Sequence, residues 1–163
     1  MKMKMIFLFI LSIALIGGCG KTNKTNEGTK DVSIIGYVVK TNQSDILIVS
    51  ETSTEKAHEA IWIPTSEKIK IGEKVEVFLE EGIQTSDPMR GVAKKINIVK
   101  IQAPASSILT PEKALEKAFN SVESWELPVV KEFSYLDSDK QWNVVLIDAK
   151  NRSSKTILID DKI

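Results

Sequence analysis

Few residues in this chain have both the type and the company to do chemistry. Cys19 is the one cysteine and His58 the one histidine. A nucleophilic thiol needs a base beside it, and His58 is the single imidazole that could serve. His58 sits in a polar stretch, 51–59, with Glu55 and Glu59 near it. A zinc site there would have to be completed by carboxylates alone, so an exposed loop histidine is the simpler reading. Ser86-Asp87-Pro88 sets a hydroxyl beside a carboxylate, yet without a histidine partner it is no triad. Asp before Pro is turn chemistry. Glu80, Glu81 and Asp87 are the one group of acids that could work as paired carboxylates, and solvation around a turn explains them equally well. Asp137-Ser138-Asp139-Lys140 opens like a calcium loop but lacks the glycine and the closing glutamate. No catalytic residue, metal ligand or cofactor is assigned, and the chain is not expected to be an enzyme.

Aromatic side chains offer a different chemistry. Tyr37, Trp62 and Phe78 fall on strand-like segments, where an exposed ring could stack on a sugar. The competing role is core packing, which suits Phe78 best and stays open for Tyr37 and Trp62. Outside a cell, a sugar is the more sensible ligand for such rings.

The elements that would hold these residues are mainly strands. Segments 33–40, 46–49, 60–63, 75–79 and 92–101 are rich in β-branched residues and are separated by turn chemistry. Val75, Val77 and Leu79 alternate with Glu76, Phe78 and Glu80, the mark of a half-buried strand. Ile46 to Val49 is apolar throughout, as expected for a strand buried on both faces or a small closed barrel. Val92, Lys94, Ile96 and Ile98 are expected on one face of the last strand. Five or six short strands within 32–101, with no helix among them, point to a small OB-like β-barrel.

After a small-residue and proline break at 102–109, residues 110–163 read as one helix and three strands. Thr110 is a good N-cap, Pro111 fits the first helical position, and Glu112 complements the positive helix end. Ala114, Leu115, Ala118, Phe119 and Val122 form one apolar stripe. Strands 129–136, 142–149 and 157–160 follow, giving a helix packed on a three-stranded antiparallel sheet. Phe119, Trp125, Phe133, Trp142, Val144 and Leu146 are its expected core.

The start of the chain is an address. Lys2 and Lys4 precede an apolar run, 5–16, too short to span a bilayer and of signal-peptide length. Ile16-Gly17-Gly18-Cys19 resembles the lipobox of bacterial lipoproteins. The resemblance implies removal of residues 1–18 and a diacylglycerol thioether on Cys19, with palmitate-type chains in the membrane. Acyl chains bury about 0.8 kcal/mol per CH₂, and two chains make a stable anchor where one is marginal. Residues 19–31 contain no apolar side chain beyond Cys19, so they are expected to be a flexible tether. The whole chain balances 22 basic against 22 acidic residues, and loss of Lys2 and Lys4 leaves it slightly acidic. That argues against nucleic acid as a partner.

Gly36-Tyr37-Val38, the 46–49 run, Trp62, the segment 71–77 and the Ser86-Asp87-Pro88 loop together resemble the uncharacterised YobA-like lipoproteins of Gram-positive bacteria. The resemblance covers Gly36 to Val99 and brings no assigned activity. Because it falls on the 82–91 loop, Ser86, Asp87 and Arg90 join Tyr37 and Trp62 as candidate contacts. The helix at 109–118 and the strand 156–160 are similar to PepSY-type modules, which implies regulation of a secreted protease. These readings converge on a membrane-anchored, extracytoplasmic module of the cell envelope that binds rather than reacts. An envelope protein is the first partner expected and a wall glycan the second.

Overall fold

A computed structural model describes residues 33–51 and 59–162. The leader, Cys19, the tether and His58 lie outside the described residues. The first six strands are β1 (Ser33–Thr41), β2 (Asp45–Ser50), β3 (Ala60–Pro64), β4 (Lys74–Leu79), β5 (Met89–Arg90) and β6 (Ala93–Val99). They form one sheet in the order β5-β3-β2-β1-β4-β6. Every pairing in it is antiparallel except that of β5 with β3. Helix α1 (Pro111–Asn120) leads into a second antiparallel sheet of β7 (Pro128–Leu136), β8 (Gln141–Asp148) and β9 (Ser154–Asp160). The chain is therefore mainly β with one helix, in the order the residue patterns indicate.

The period-two pattern explains how the first sheet divides its side chains. Ile34, Val38, Ile46, Ile48, Ile61, Ile63, Val75, Val77 and Leu79 pack together on one face. Tyr37, Val39, Leu47, Val49 and Ala60 turn to the other face. There they join Leu115, Ala118 and Phe119 of α1 with Val129, Val144, Leu146 and Ile157 of the second sheet. The unbroken run Ile46-Leu47-Ile48-Val49 thus feeds two cores from one strand.

That division corrects the expectation of a closed barrel. A small closed barrel would wet its outer face, whereas here that face is apolar over β1 and β2 and is covered by α1 and the second sheet. The first sheet stays open, with β5 and β6 as its outer strands. Phe78, expected in the core, is half-buried and alternates with buried Val77 and Leu79. A register shift between Phe78 and Leu79 sends Ala93 and Ile96 of β6 inward and leaves Val92 and Ile98 exposed, so the expected face of β6 is not maintained. Phe119 of α1 and Trp142, Val144 and Leu146 of the second sheet are buried as expected, with Trp125 and Phe133 half-buried.

Besides the shared core, one close backbone approach holds the first sheet against α1, and one buried carboxylate fixes the segment that leads into the helix. Gly72, with φ of +92°, lies so flat against α1 that an added Cβ would meet the carbonyl oxygen of Glu112 at 2.2 Å. At the other end, the carboxylate of Asp161, only 7% exposed, accepts from Ile108 N at 2.9 Å and Leu109 N at 2.7 Å. The Tyr135 hydroxyl donates to the same carboxylate at 2.7 Å. Asp161 therefore pins the 102–109 connection to the end of β9 and places Thr110, whose hydroxyl caps α1 by accepting from Lys113 N. Burial opposes ionisation of Asp161, but the two amides and the phenol outweigh it and hold its carboxyl below the ordinary value.

Candidate binding site

The outer end of the first sheet carries a hollow of about 330 Å³, lined by Asp45, Trp62, Pro64, Glu81, Gly82, Gln84, Arg90, Gly91 and Val92. Its walls follow from strand pairing. Trp62 of β3 stands opposite Arg90 of the short parallel strand β5. Gly91 N donates to Trp62 O at 3.2 Å. Gln84 and Arg90 exchange backbone hydrogen bonds, Gln84 N to Arg90 O at 2.8 Å and Arg90 N to Gln84 O at 3.2 Å. The 82–91 loop is in this way stitched to the sheet edge. Gly91, also in the lining, packs closely on the core of the sheet: an added Cβ would lie 2.9 Å from Cδ1 of Ile61.

Asp45 opens β2 opposite Pro64. The Asn42 side-chain oxygen accepts from Ser44 N at 3.0 Å and Asp45 N at 2.7 Å, a turn that sets the carboxylate in place. Arg90 Nη1 stands 3.8 Å from Asp45 Oδ2. The site therefore combines a half-buried indole with two carboxylates, a guanidinium and a primary amide. Apolar ring surface beside a few fixed polar groups is the make-up of a small-molecule site.

The sequence candidates separate in space. Trp62 and Arg90 share this hollow. Tyr37 does not: it is 7% exposed in the core beneath α1. Lys74 Nζ lies 5.7 Å from its ring centre and pairs with Glu51 at 2.7 Å. Burial, then the hydrogen bond and charge of Glu51, raise the phenol above its ordinary range. Tyr37 is thus a packing residue, and the two aromatics form no joint platform. Ser86 and Asp87 lie at the far side of the loop. Ser86 Oγ donates to Pro88 O at 2.7 Å across the cis Asp87-Pro88 bond. Asp87 accepts from Lys150 Nζ at 2.6 Å, and Glu126 stands 3.6 Å from the same ammonium. Asp87 therefore ties the loop to the β8–β9 turn. Glu81 lines the hollow, so the acids once grouped as Glu80, Glu81 and Asp87 do different things.

Sequence reasoning missed Asp45, Gln84 and Gly91. Asn42 to Asp45 reads as an ordinary turn, and a two-residue parallel strand such as β5 carries too little pattern to be seen. Among the described residues, no cluster of His, Cys, Asp or Glu could hold a metal ion, and no helix is long and apolar enough to cross a membrane.

Residues 35–100 match the family model described as Protein of unknown function (DUF3221). The chain is also similar to the crystal structure of a YobA protein from Bacillus subtilis subsp. subtilis strain 168, solved at 1.55 Å. That similarity has 20% identity and a TM-score of 0.35, and covers 45% of this chain and 99% of that chain. The NMR solution structure of Bacillus subtilis YobA 21–120 matches with the same identity and TM-score, over 48% of this chain and 91% of that chain. No curated protein matches the chain. The strands that build the hollow thus fall within the stretch, 35–100, that is similar to a family described as of unknown function.

Proposed function

We propose that this protein is lipid-anchored through Cys19 on the extracytoplasmic face of the cell membrane, and that it binds a sugar of the cell envelope in the Trp62 hollow without transforming it. The observation behind this reading is the setting of Trp62. Its indole borders an open hollow whose other walls are Asp45, Glu81, Gln84 and Arg90. An indole can cover the apolar face of a sugar ring while carboxylate, amide and guanidinium exchange hydrogen bonds with hydroxyls. The lipobox-like segment and the apolar-free tether support the address.

The test uses the full chain with Cys19→Ser, so that lipid does not drive sedimentation, mixed with purified cell wall. Trp62→Ala should cut retention by at least about fivefold, equivalent to about 1 kcal/mol of ring contact. Trp62→Phe should restore part of it. Full retention by a folded Trp62→Ala variant would refute the reading.

A protein partner is the second reading, supported by exposed aliphatic side chains that do not line the hollow. Ile98 is 60% exposed on the outer strand β6, and Ile108 and Leu158 are also exposed. Cross-linking in cells, followed by mass spectrometry, addresses it. One recurrent protein, lost with Cys19→Ser, would support a tethered interaction module. A protease-regulating role draws support from the PepSY-type resemblance of the helix and last strand.

A further inference from the structure

We infer that the sugar taken by the Trp62 hollow carries an amino group, and that phosphate- or carboxylate-bearing glycans are disfavoured. The inference rests on the carbohydrate reading above and adds the charge of the ligand. The hollow is walled by two carboxylates, Asp45 and Glu81, against one guanidinium, Arg90, with the neutral Gln84 between them in sequence. Asp45 and Arg90 face each other at 3.8 Å and largely cancel. Asp45 is also held by its neighbours, accepting from Ser44 Oγ at 3.0 Å. Glu81 has no such balance: among the described residues, no ion pair involves it.

A ligand entering the hollow therefore meets a net negative wall. An anionic group is repelled there, a neutral sugar is indifferent to it, and an ammonium group gains a partner in Glu81. The wall is open to water, so screening limits the gain. Exposed ion pairs of this kind change affinity by about two- to fivefold, and salt should erase the difference.

The experiment measures equilibrium binding of three probes to the full chain with Cys19→Ser at mildly acidic pH. The probes are glucosamine oligomers with free amines, N-acetylglucosamine oligomers and a polyglycerol phosphate. The amino oligomer should bind about two- to fivefold tighter than its acetylated counterpart at low salt. The polyglycerol phosphate should bind weakest. Glu81→Gln, which removes the charge and keeps a hydrogen-bonding side chain, should bring the two oligomers to equal affinity, and Trp62→Ala should weaken both sugars. Glu81 is exposed, so unchanged thermal unfolding is expected for Glu81→Gln and serves as the folding control. Equal binding of amino and acetylated oligomers, a preference that survives Glu81→Gln, or preference for the phosphate polymer would overturn the charge inference alone. Failure of both sugar oligomers to bind would overturn the carbohydrate reading itself.

Discussion

Replacing Gly72 by alanine should be among the most damaging single-methyl changes in the molecule, and the structure says by how much. Two costs add. The first is conformational: at φ of +92° an L side chain is strained, at about 1–2 kcal/mol. The second is steric. The new Cβ would lie 2.2 Å from Glu112 O and 2.9 Å from Glu116 N, both backbone atoms of α1. Neither can rotate aside, and ordinary contact begins at 3.4 Å. The helix must therefore retreat by about 1 Å from a packed core, which costs about 1–3 kcal/mol. Together these give a loss of about 2–5 kcal/mol, or a fall in Tm of roughly 8–20 °C at about 4 °C per kcal/mol. Gly82 provides the control. Its φ is +93°, but nothing lies within 4 Å of an added Cβ. Gly82→Ala should thus show the conformational cost alone, about 1–2 kcal/mol. Urea denaturation of both variants measures the difference. Losses equal within about 0.5 kcal/mol would refute the close approach of the 70–74 turn to α1, and with it the shared core.

Three other outcomes are expected. Because Leu47 and Val49 share a core with Leu115 and Val144, the two sheets should unfold together; tryptophan fluorescence from variants keeping only Trp62 or only Trp142 should give coincident midpoints, and separated midpoints would contradict the common core. Leu115→Ala, at a fully buried site, should cost about 2–5 kcal/mol in denaturant titration. Asp161 has a carboxyl pKa below its ordinary 3.8 in the folded chain. Its contribution is complete above that value and fades as pH falls through the depressed one, so Asp161→Asn should flatten the acid limb of a Tm-against-pH curve; an unchanged limb would remove Asp161 from the account.

Much of the fold was legible because it rests on short-range rules. The Thr110-Pro111 start of α1, its apolar stripe and the alternation of Val75, Val77 and Leu79 all express local geometry and period. Each lies within a few residues of the feature it predicts. The candidate site was only half legible. Trp62 stood out by residue type and Arg90 through the family resemblance of its loop, but Tyr37 is an aromatic like Trp62 and ends in the core. Asp87 looks like a contact residue and is an ion-pair partner of Lys150.

By itself the sequence determined the order of the helix and the longer strands and the apolar character of both faces of β2. It also carries a segment that resembles a lipobox, and it lacks a second histidine or cysteine. Only the tertiary structure decided that the second apolar face meets α1 and the second sheet rather than closing a barrel. It alone brought Asp45, Trp62, Glu81 and Arg90 into one hollow and sent Asp161 back to Ile108 and Leu109. The physical reason is the range of the interactions. Periodicity, capping and turn preference act between near neighbours and are written along the chain. Which face covers which, and which polar groups meet, depends on contacts between residues distant in sequence, set by packing two sheets and a helix into one core.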